Sequence, residues 1–304
     1  MPINSTRQRT RNRRQLLRVG VASAVAGTWT QCMAAADIDA FSFVIVSDTH
    51  LGRNDGVAPE KQFRQAIAEI NSGPADFVLH LGDVVDKARA TQYPRYVAAR
   101  ADLKKPIHEI PGNHDSETLF QRHVTERVDR SFDHKGVRFV LFANAHADSH
   151  DGFITSEQLD WLTHECDQAA MQGLKIVFCC HVPVHSNRHP DRGWYVKPDN
   201  GQTAFYQLIE KHKGRVLLCL HGHFHNGIRG WQDHYQVVEV LCPSLCYNQD
   251  RNLEEHLSTG ETSGFFVPEL RTGYAIAKLG NGKLTLQYKP LAGAVGAEYS
   301  AKWK

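Results

Sequence analysis

The sequence contains no Cys-x-x-Cys pair, no internal repeat, no low-complexity linker and no large surplus of basic charge. The first absence excludes a zinc knuckle. The seven cysteines form no spaced framework: Cys179, Cys180 and Cys219 lie inside apolar runs, where small buried thiols are the plain reading. Cys242-Pro-Ser-Leu-Cys246 is spaced to close a small disulfide loop, although two free thiols are the simpler expectation. A formal charge of +2 on 304 residues gives no general attraction to nucleic acid. With no composition break after residue 37, a single domain over 37–304 is expected, long enough to bury a large core. What the chain has in unusual number is histidine, 18 in all.

Positive charge is concentrated at one end, in Arg7, Arg9, Arg11, Arg13, Arg14 and Arg18. Removing that segment leaves an acidic remainder, so the sequence pI of 8.2 misdescribes the rest of the chain. Asn12-Arg13-Arg14-Gln15-Leu16-Leu17-Arg18 resembles the twin-arginine signature, Val19 to Thr28 is weakly apolar, and Ala34-Ala35-Ala36 offers an A-x-A cleavage site. That apolar run is too short and too rich in Ala and Gly to span a bilayer comfortably. Residues 1–36 are therefore expected to be an export signal read by the twin-arginine machinery. The protein would then be periplasmic or otherwise extracytoplasmic, with no stable membrane span after cleavage. Cys32 follows Thr30-Gln31, which lacks the small apolar residues of a lipidation site.

Five segments share one design, an apolar run of strand length that ends in Asp, His or Asn. They are Phe43 to His50, Phe77 to Asp83, Ile107 to Asp115, Ile176 to His181 and Val216 to His225. Near-continuous apolar runs suit strands covered on both faces. Polar side chains at strand carboxyl ends are where open α/β sheets keep their sites. Between the runs, Phe63, Ala66, Ile67 and Ile70 mark a helix over Pro59 to Asn71, and a second helix is expected around Tyr93 to Leu103. That β-α-β-α-β order predicts parallel strands with right-handed crossovers. Val137 to Ala143 reads as a strand, and Thr155 with Gln158 as a capping box opening a helix. Thr203 to Lys213 reads as a short helix, Tyr235 to Leu241 as a strand, and Tyr274 to Leu279 with Lys283 to Tyr288 as a hairpin. His223 and His225 are expected to share one face of an extended segment.

Asp48/His50, Gly82-Asp83 with Asp86, Gly112-Asn113-His114-Asp115, His181 and Gly222-His223-Phe224-His225 together resemble the calcineurin-like metallophosphoesterase superfamily. All five blocks occur in that family's order, over roughly Phe41 to His225. The resemblance is nearest to the class III cyclic-nucleotide phosphodiesterase branch. It implies an α/β fold in which two mixed β-sheets pack as a sandwich flanked by helices, a four-layer αββα arrangement. It implies two metal ions, one held by Asp48, His50 and His225, the other by Asn113, His181 and His223, with Asp83 bridging. It also makes His114 the catalytic residue that is not a ligand. Imidazole, carboxylate and amide donors suit Mn, Fe, Zn or Co. Asp115 and Asp86 are expected to orient imidazoles or close loop hydrogen bonds. Position 86 carries Asp where purple acid phosphatases place a metal-binding Tyr, so a ferric-tyrosinate centre has no support.

The implied activity is hydrolysis of a small-molecule phosphodiester by a metal-activated hydroxide. Alternatives are a pyrophosphatase of the ADP-ribose/CDP-alcohol type, a broad phosphomonoesterase, and a non-catalytic binding scaffold. The aperiodic stretch Val182 to Gln202 leaves directly from His181 and reads as a lid or binding loop. Its His185, Arg192 and Trp194 are the candidate substrate contacts, offering cationic groups to an anion and rings to a base.

Overall fold

The structure is a computed structural model that describes Met1 and residues 38–186, 193–249 and 264–303. The expected export signal, Met1 aside, and Arg192 lie outside the described residues.

Strands β1 (Phe41–Val46), β2 (Phe77–His80) and β3 (Ile107–Glu109) run parallel, in the order β1-β2-β3. The crossovers carry helices α1 (Ala58–Ser72) and α2 (Gln92–Arg100). Helix α1 buries Phe63, Ala66, Ile67 and Ile70, the stripe that its periodicity predicts. Helix α3 (Glu117–His123) follows β3. Three antiparallel strands, β11 (Gly273–Gly280), β12 (Lys283–Pro290) and β13 (Glu298–Lys302), extend the sheet beyond β1. The result is six strands in the order β13-β12-β11-β1-β2-β3.

The second sheet is built from β4 (Arg130–His134), β5 (Val137–Leu141), β6 (Lys175–Cys179), β7 (Val216–His221), β8 (Ile228–Trp231), β9 (Val238–Leu241) and β10 (Gly264–Val267). Its order is β10-β8-β9-β7-β6-β5-β4, and β5, β6, β7 and β9 are parallel. Helices α4 (Ser156–Met171) and α5 (Gln202–Lys211) cover its outer face. Thr155 and Gln158 make the reciprocal capping box at the start of α4.

Alternation along each strand sorts side chains into layers. Phe43, Ile45, Phe77 and Leu79 from the first sheet meet Phe139, Leu141, Val177 and Leu218 from the second. The intervening Val44, Val46 and Val78 pack against Phe63, Ile67 and Tyr96 of the helices, and Val140, Phe142 and Phe178 against Leu162, Phe205 and Ile209. Phe77 anchors the interior, stacked on Phe43 with ring centres 5.1 Å apart and edge-on to Phe139 at 5.2 Å. The two mixed sheets with flanking helices are the expected αββα architecture.

Several elements lie beyond the sequence reading. Strands β4, β10 and β13 end their sheets, and β4 and β13 are only partly buried, so they lack the continuous apolar signal of a central strand. The strand expected from Tyr235 begins at Val238 because Tyr235 and Gln236 have left-handed φ of 52° and 64°. Cys242 and Cys246 are free thiols, so the short disulfide loop is not formed.

Candidate metal centre

The carboxyl ends of β1, β2 and β3 from one sheet and of β6 and β7 from the other deliver the polar residues to one place. Leaving the strands takes the backbone through left-handed conformations at Asp48 (φ 53°), His50 (φ 45°), Asp83 (φ 54°), His223 (φ 74°) and His225 (φ 52°). These are uncommon for residues with a Cβ, and such strain gathers where side-chain placement is over-determined by the surroundings. Strand β7 ends at His221, so His223 and His225 do not share a face of an extended segment. The two turns instead send them to different clusters.

In one cluster Asp48, His50, Asp83 and His225 each aim a donor atom at a common point; in the other, Asp83, His181 and His223 do so. Asp83 belongs to both. Its Oδ2 lies 3.4 Å from His50 Nε2 and 3.4 Å from His181 Nε2. His225 Nε2 lies 3.0 Å from Asp48 Oδ1 and 3.1 Å from His50 Nε2. Asn113 Oδ1 sits 3.3 Å from His181 Nε2, which adds the amide to the second cluster. The structure therefore brings together all seven residues that the motifs single out.

Neighbouring groups fix the imidazoles. His181 Nδ1–H donates to the Leu81 carbonyl at 2.6 Å, which turns Nε2 towards Asp83. His223 Nε2–H donates to the His150 carbonyl at 3.0 Å, leaving Nδ1 for the cluster. Asp86 Oδ1 lies 3.4 Å from His50 Nδ1 and 3.6 Å from His114 Nδ1. Asp115 accepts from the backbone N–H of Val84, Val85 and Gly112, lacing the loop after β3 to the loop after β2. The His114 N–H donates to Asp83 Oδ1 at 2.8 Å. His80, one turn of chain from Asp83, is a buried core histidine whose Nε2 meets Thr49 Oγ1 at 2.5 Å.

The electrostatics suit cations. Burial pushes Asp48 up, but the His225 imidazole beside it outweighs burial and holds the carboxylate below its ordinary range. Asp83 is likewise lowered, burial being outweighed by His181. Burial pulls His181 down, yet Asp83 raises it to about 9. Burial, then the charge of Asp83, lifts Asp115 to about 7. The Nε2 atoms of His50 and His225 face each other at 3.1 Å beside the buried carboxylates of Asp48 and Asp83. The Nδ1 of His225 has no hydrogen-bond partner among the described residues. A pair of cations between these groups supplies the missing countercharge.

Above the clusters lies a cavity of about 270 Å³. Its wall includes His114, Arg53, Lys87, His150, Trp194 and Tyr247. Trp194 stacks on His150 with ring centres 4.2 Å apart, and the Arg53 guanidinium lies 4.0 Å over the Tyr247 ring. Of the expected substrate contacts, Trp194 lines the cavity and His185 does not: it is buried, stacked on Trp231 and 3.1 Å from Asp233. Arg53, Lys87, His150 and Tyr247 were not singled out from the sequence. Arg53 opens a three-residue 3-10 helix and the others lie in irregular loops, all without periodicity, and only the fold shows what they face.

Residues 41–227 match the calcineurin-like phosphoesterase family. The chain belongs to that family. It is a metal-dependent phosphoester hydrolase, and its cofactors are two divalent metal ions. A relative in Fibrobacter succinogenes is 30% identical over 145 residues, 45% of this chain and 56% of that protein, so the match spans little more than half of that relative. The 3',5'-cyclic adenosine monophosphate phosphodiesterase CpdA of Pseudomonas aeruginosa is 28% identical over 60% of this chain and 68% of its own. The 3',5'-cyclic-nucleotide phosphodiesterase alr5338 of Nostoc is 23% identical over 75% of this chain and 87% of its own. A dimetal phosphatase from Danio rerio shares the fold, with a TM-score of 0.65 at 15% identity, covering 88% of this chain and all of that one.

The backbone at Gly112 tests how tightly this hydrolase is built. A Cβ there would lie 2.2 Å from Asp83 Oδ1 and 2.5 Å from the Asp83 backbone nitrogen, and the latter cannot yield. Gly112→Ala is expected to displace Asp83 and lower turnover by about a hundredfold, the scale of a small misplacement of reacting groups. Metal content should fall with it. Steady-state kinetics and elemental analysis on protein with wild-type circular dichroism check this, and wild-type values for both would refute it.

Proposed function

We propose that the chain hydrolyses a phosphodiester of the cyclic-nucleotide type. The observation that carries this reading is the cavity over the two clusters, which combines cationic groups (Arg53, Lys87) with aromatic faces (Trp194, Tyr247). Cations suit a phosphate, and flat rings suit a base. The cyclic-nucleotide phosphodiesterases among its relatives support the same substrate class.

Asp48, His50 and His225 would hold one ion and Asn113, His181 and His223 the other, with Asp83 shared. When bound, the pair supplies positive charge that lowers the pKa of water and offsets charge on the phosphoryl oxygens. The chain's own groups do the rest. Leu81 and His150 fix the tautomers of His181 and His223, Asp86 adds negative charge beside His50 and His114, and Asp115 holds the loops together. His114 lines the cavity with about a third of its side chain exposed, and in this reading it would donate a hydrogen bond to a phosphoryl oxygen or protonate the leaving group.

A panel with and without chelator tests the substrate class, using bis-p-nitrophenyl phosphate, p-nitrophenyl phosphate, cyclic AMP, ADP-ribose and DNA. The diester and cyclic AMP should be cleaved in preference to the monoester, and chelation should abolish both activities. Preference for ADP-ribose would move the assignment to a pyrophosphatase, and undiminished activity in metal-free protein would end the metal mechanism. His114→Ala should lower turnover by about two to four orders of magnitude while metal content holds. Parallel loss of metal would make His114 a ligand instead.

Export by the twin-arginine route is part of the same proposal and rests on Arg13-Arg14 and Ala34-Ala35-Ala36 alone. No helix among the described residues is long and apolar enough to cross a membrane. Replacing Arg13 and Arg14 by Lys should trap the full-length chain in the cytoplasm. Unchanged fractionation of that variant would count against the route.

A further inference from the structure

Behind the wall of the catalytic cavity lies a second convergence of imidazoles and carboxylates. His185 comes from the loop after β6, Asp233 and His234 from the turn between β8 and β9, and Glu239 from β9 itself. His185 stacks on Trp231 with ring centres 4.4 Å apart, and Trp231 packs with Phe224 and Leu241 in a small apolar cluster. Phe224 lines the cavity, so this apolar layer stands between the two groups of histidines.

We propose that His185, Asp233, His234 and Glu239 form a third metal site, separate from the dinuclear centre, which takes a single zinc ion. The geometry carries the proposal. His185 Nε2 lies 3.1 Å from Asp233 Oδ1, and His234 Nδ1 lies 3.4 Å from that same oxygen and 3.4 Å from Glu239 Oε1. Zinc bound tetrahedrally at 2.0–2.1 Å sets its ligand atoms about 3.3 Å apart. The dinuclear centre shows the same spacing, 3.0 to 3.4 Å, between its own donor atoms. It also repeats the motif of two imidazoles facing one carboxylate oxygen, there Asp83 and here Asp233. Contacts of 3.4 Å are long for ordinary hydrogen bonds, which fall near 2.7–3.2 Å.

A second observation is independent of that spacing. Glu239 and His221 are each only 1% exposed. Glu239 Oε2 and His221 Nε2 lie 3.9 Å apart, and neither finds a hydrogen-bond partner among the described residues. The other oxygen, Oε1, faces His234 and Tyr206, so Glu239 is a buried carboxylate whose hydrogen bonding among the described residues is incomplete, and a cation at Oε1 would offset its charge. Tyr206 O–H donates to Glu239 Oε1 at 2.9 Å and steadies that carboxylate from α5. The side chains of Asp233 and His234 are 20% and 37% exposed, which leaves an ion a way in. Two imidazoles and two carboxylates suit a borderline ion such as Zn²⁺. An ion there would tie the root of the loop that carries Trp194 to β9.

The test counts ions. Full-length protein is stripped with chelator, equilibrated with excess Zn²⁺, desalted and analysed by inductively coupled plasma mass spectrometry. Three zinc ions per chain are expected for the wild type. Two are expected for Asp233→Ala and for His234→Ala, with bis-p-nitrophenyl phosphate hydrolysis retained. Asp233→Asn, which keeps shape and hydrogen bonding, replaces the alanine variant if that one does not fold. Two ions in the wild type, or three in all the variants, overturns the site.

Discussion

Asp83 is a fully buried carboxylate, and one of its oxygens stands between two imidazoles that come from different sheets. Such a group is tolerable only if it is compensated on every side. Much of the surrounding structure reads as that compensation. His50 and His181 approach its Oδ2, the His114 backbone N–H binds Oδ1, and Asp115 secures the loop from which that N–H comes. The backbone at Asp83 is itself left-handed, a conformation that a residue with a Cβ keeps only where its surroundings over-determine it.

The sandwich serves this arrangement by supplying strand ends. Parallel strands covered on both faces end together, and their carboxyl ends form a crevice in which residues distant in sequence meet. Asp48, Asp83 and Asn113 come from three neighbouring strands of one sheet, and His181 and His223 from two of the other. The apolar interior between the sheets, with Phe43, Phe77 and Phe139 at its centre, sets the separation of the two groups. Close packing makes that separation stiff, so aromatic residues far from any chemistry govern distances at the site.

Much of this was legible in the sequence because the chemistry demands particular residue types at strand ends. Apolar runs stopped by Asp, His or Asn marked five strands of the core, and the stripe on α1 and the cap of α4 followed from periodicity and local hydrogen bonding. Edge strands such as β4 and β13 were not legible, because a half-exposed strand can be polar on one side. The turn at His223 and His225 was misjudged for a related reason: alternation holds only while the backbone stays extended, and nothing in Gly-His-Phe-His announces two left-handed residues. His185 was assigned to the wrong neighbours. Proximity in sequence to His181 suggested the cavity, whereas His185 is buried and stacked against Trp231. Arg53, Lys87 and Tyr247 carry no pattern at all, since a cavity wall is defined by what faces it.

The seven residues about the dinuclear centre belong to both halves of the sandwich, four reached from the first sheet and three from the second. Two ions seated among them act as a rivet through the open end of the two layers. A ligand that binds only the folded arrangement stabilises it by mass action. Sliding of one sheet over the other therefore works against ion binding as well as against the packing of phenylalanines. In the stripped protein that sliding is resisted by the packing and by the hydrogen bonds that already cross between the strand ends, such as His181 to the Leu81 carbonyl and the His223 N–H to Asp48.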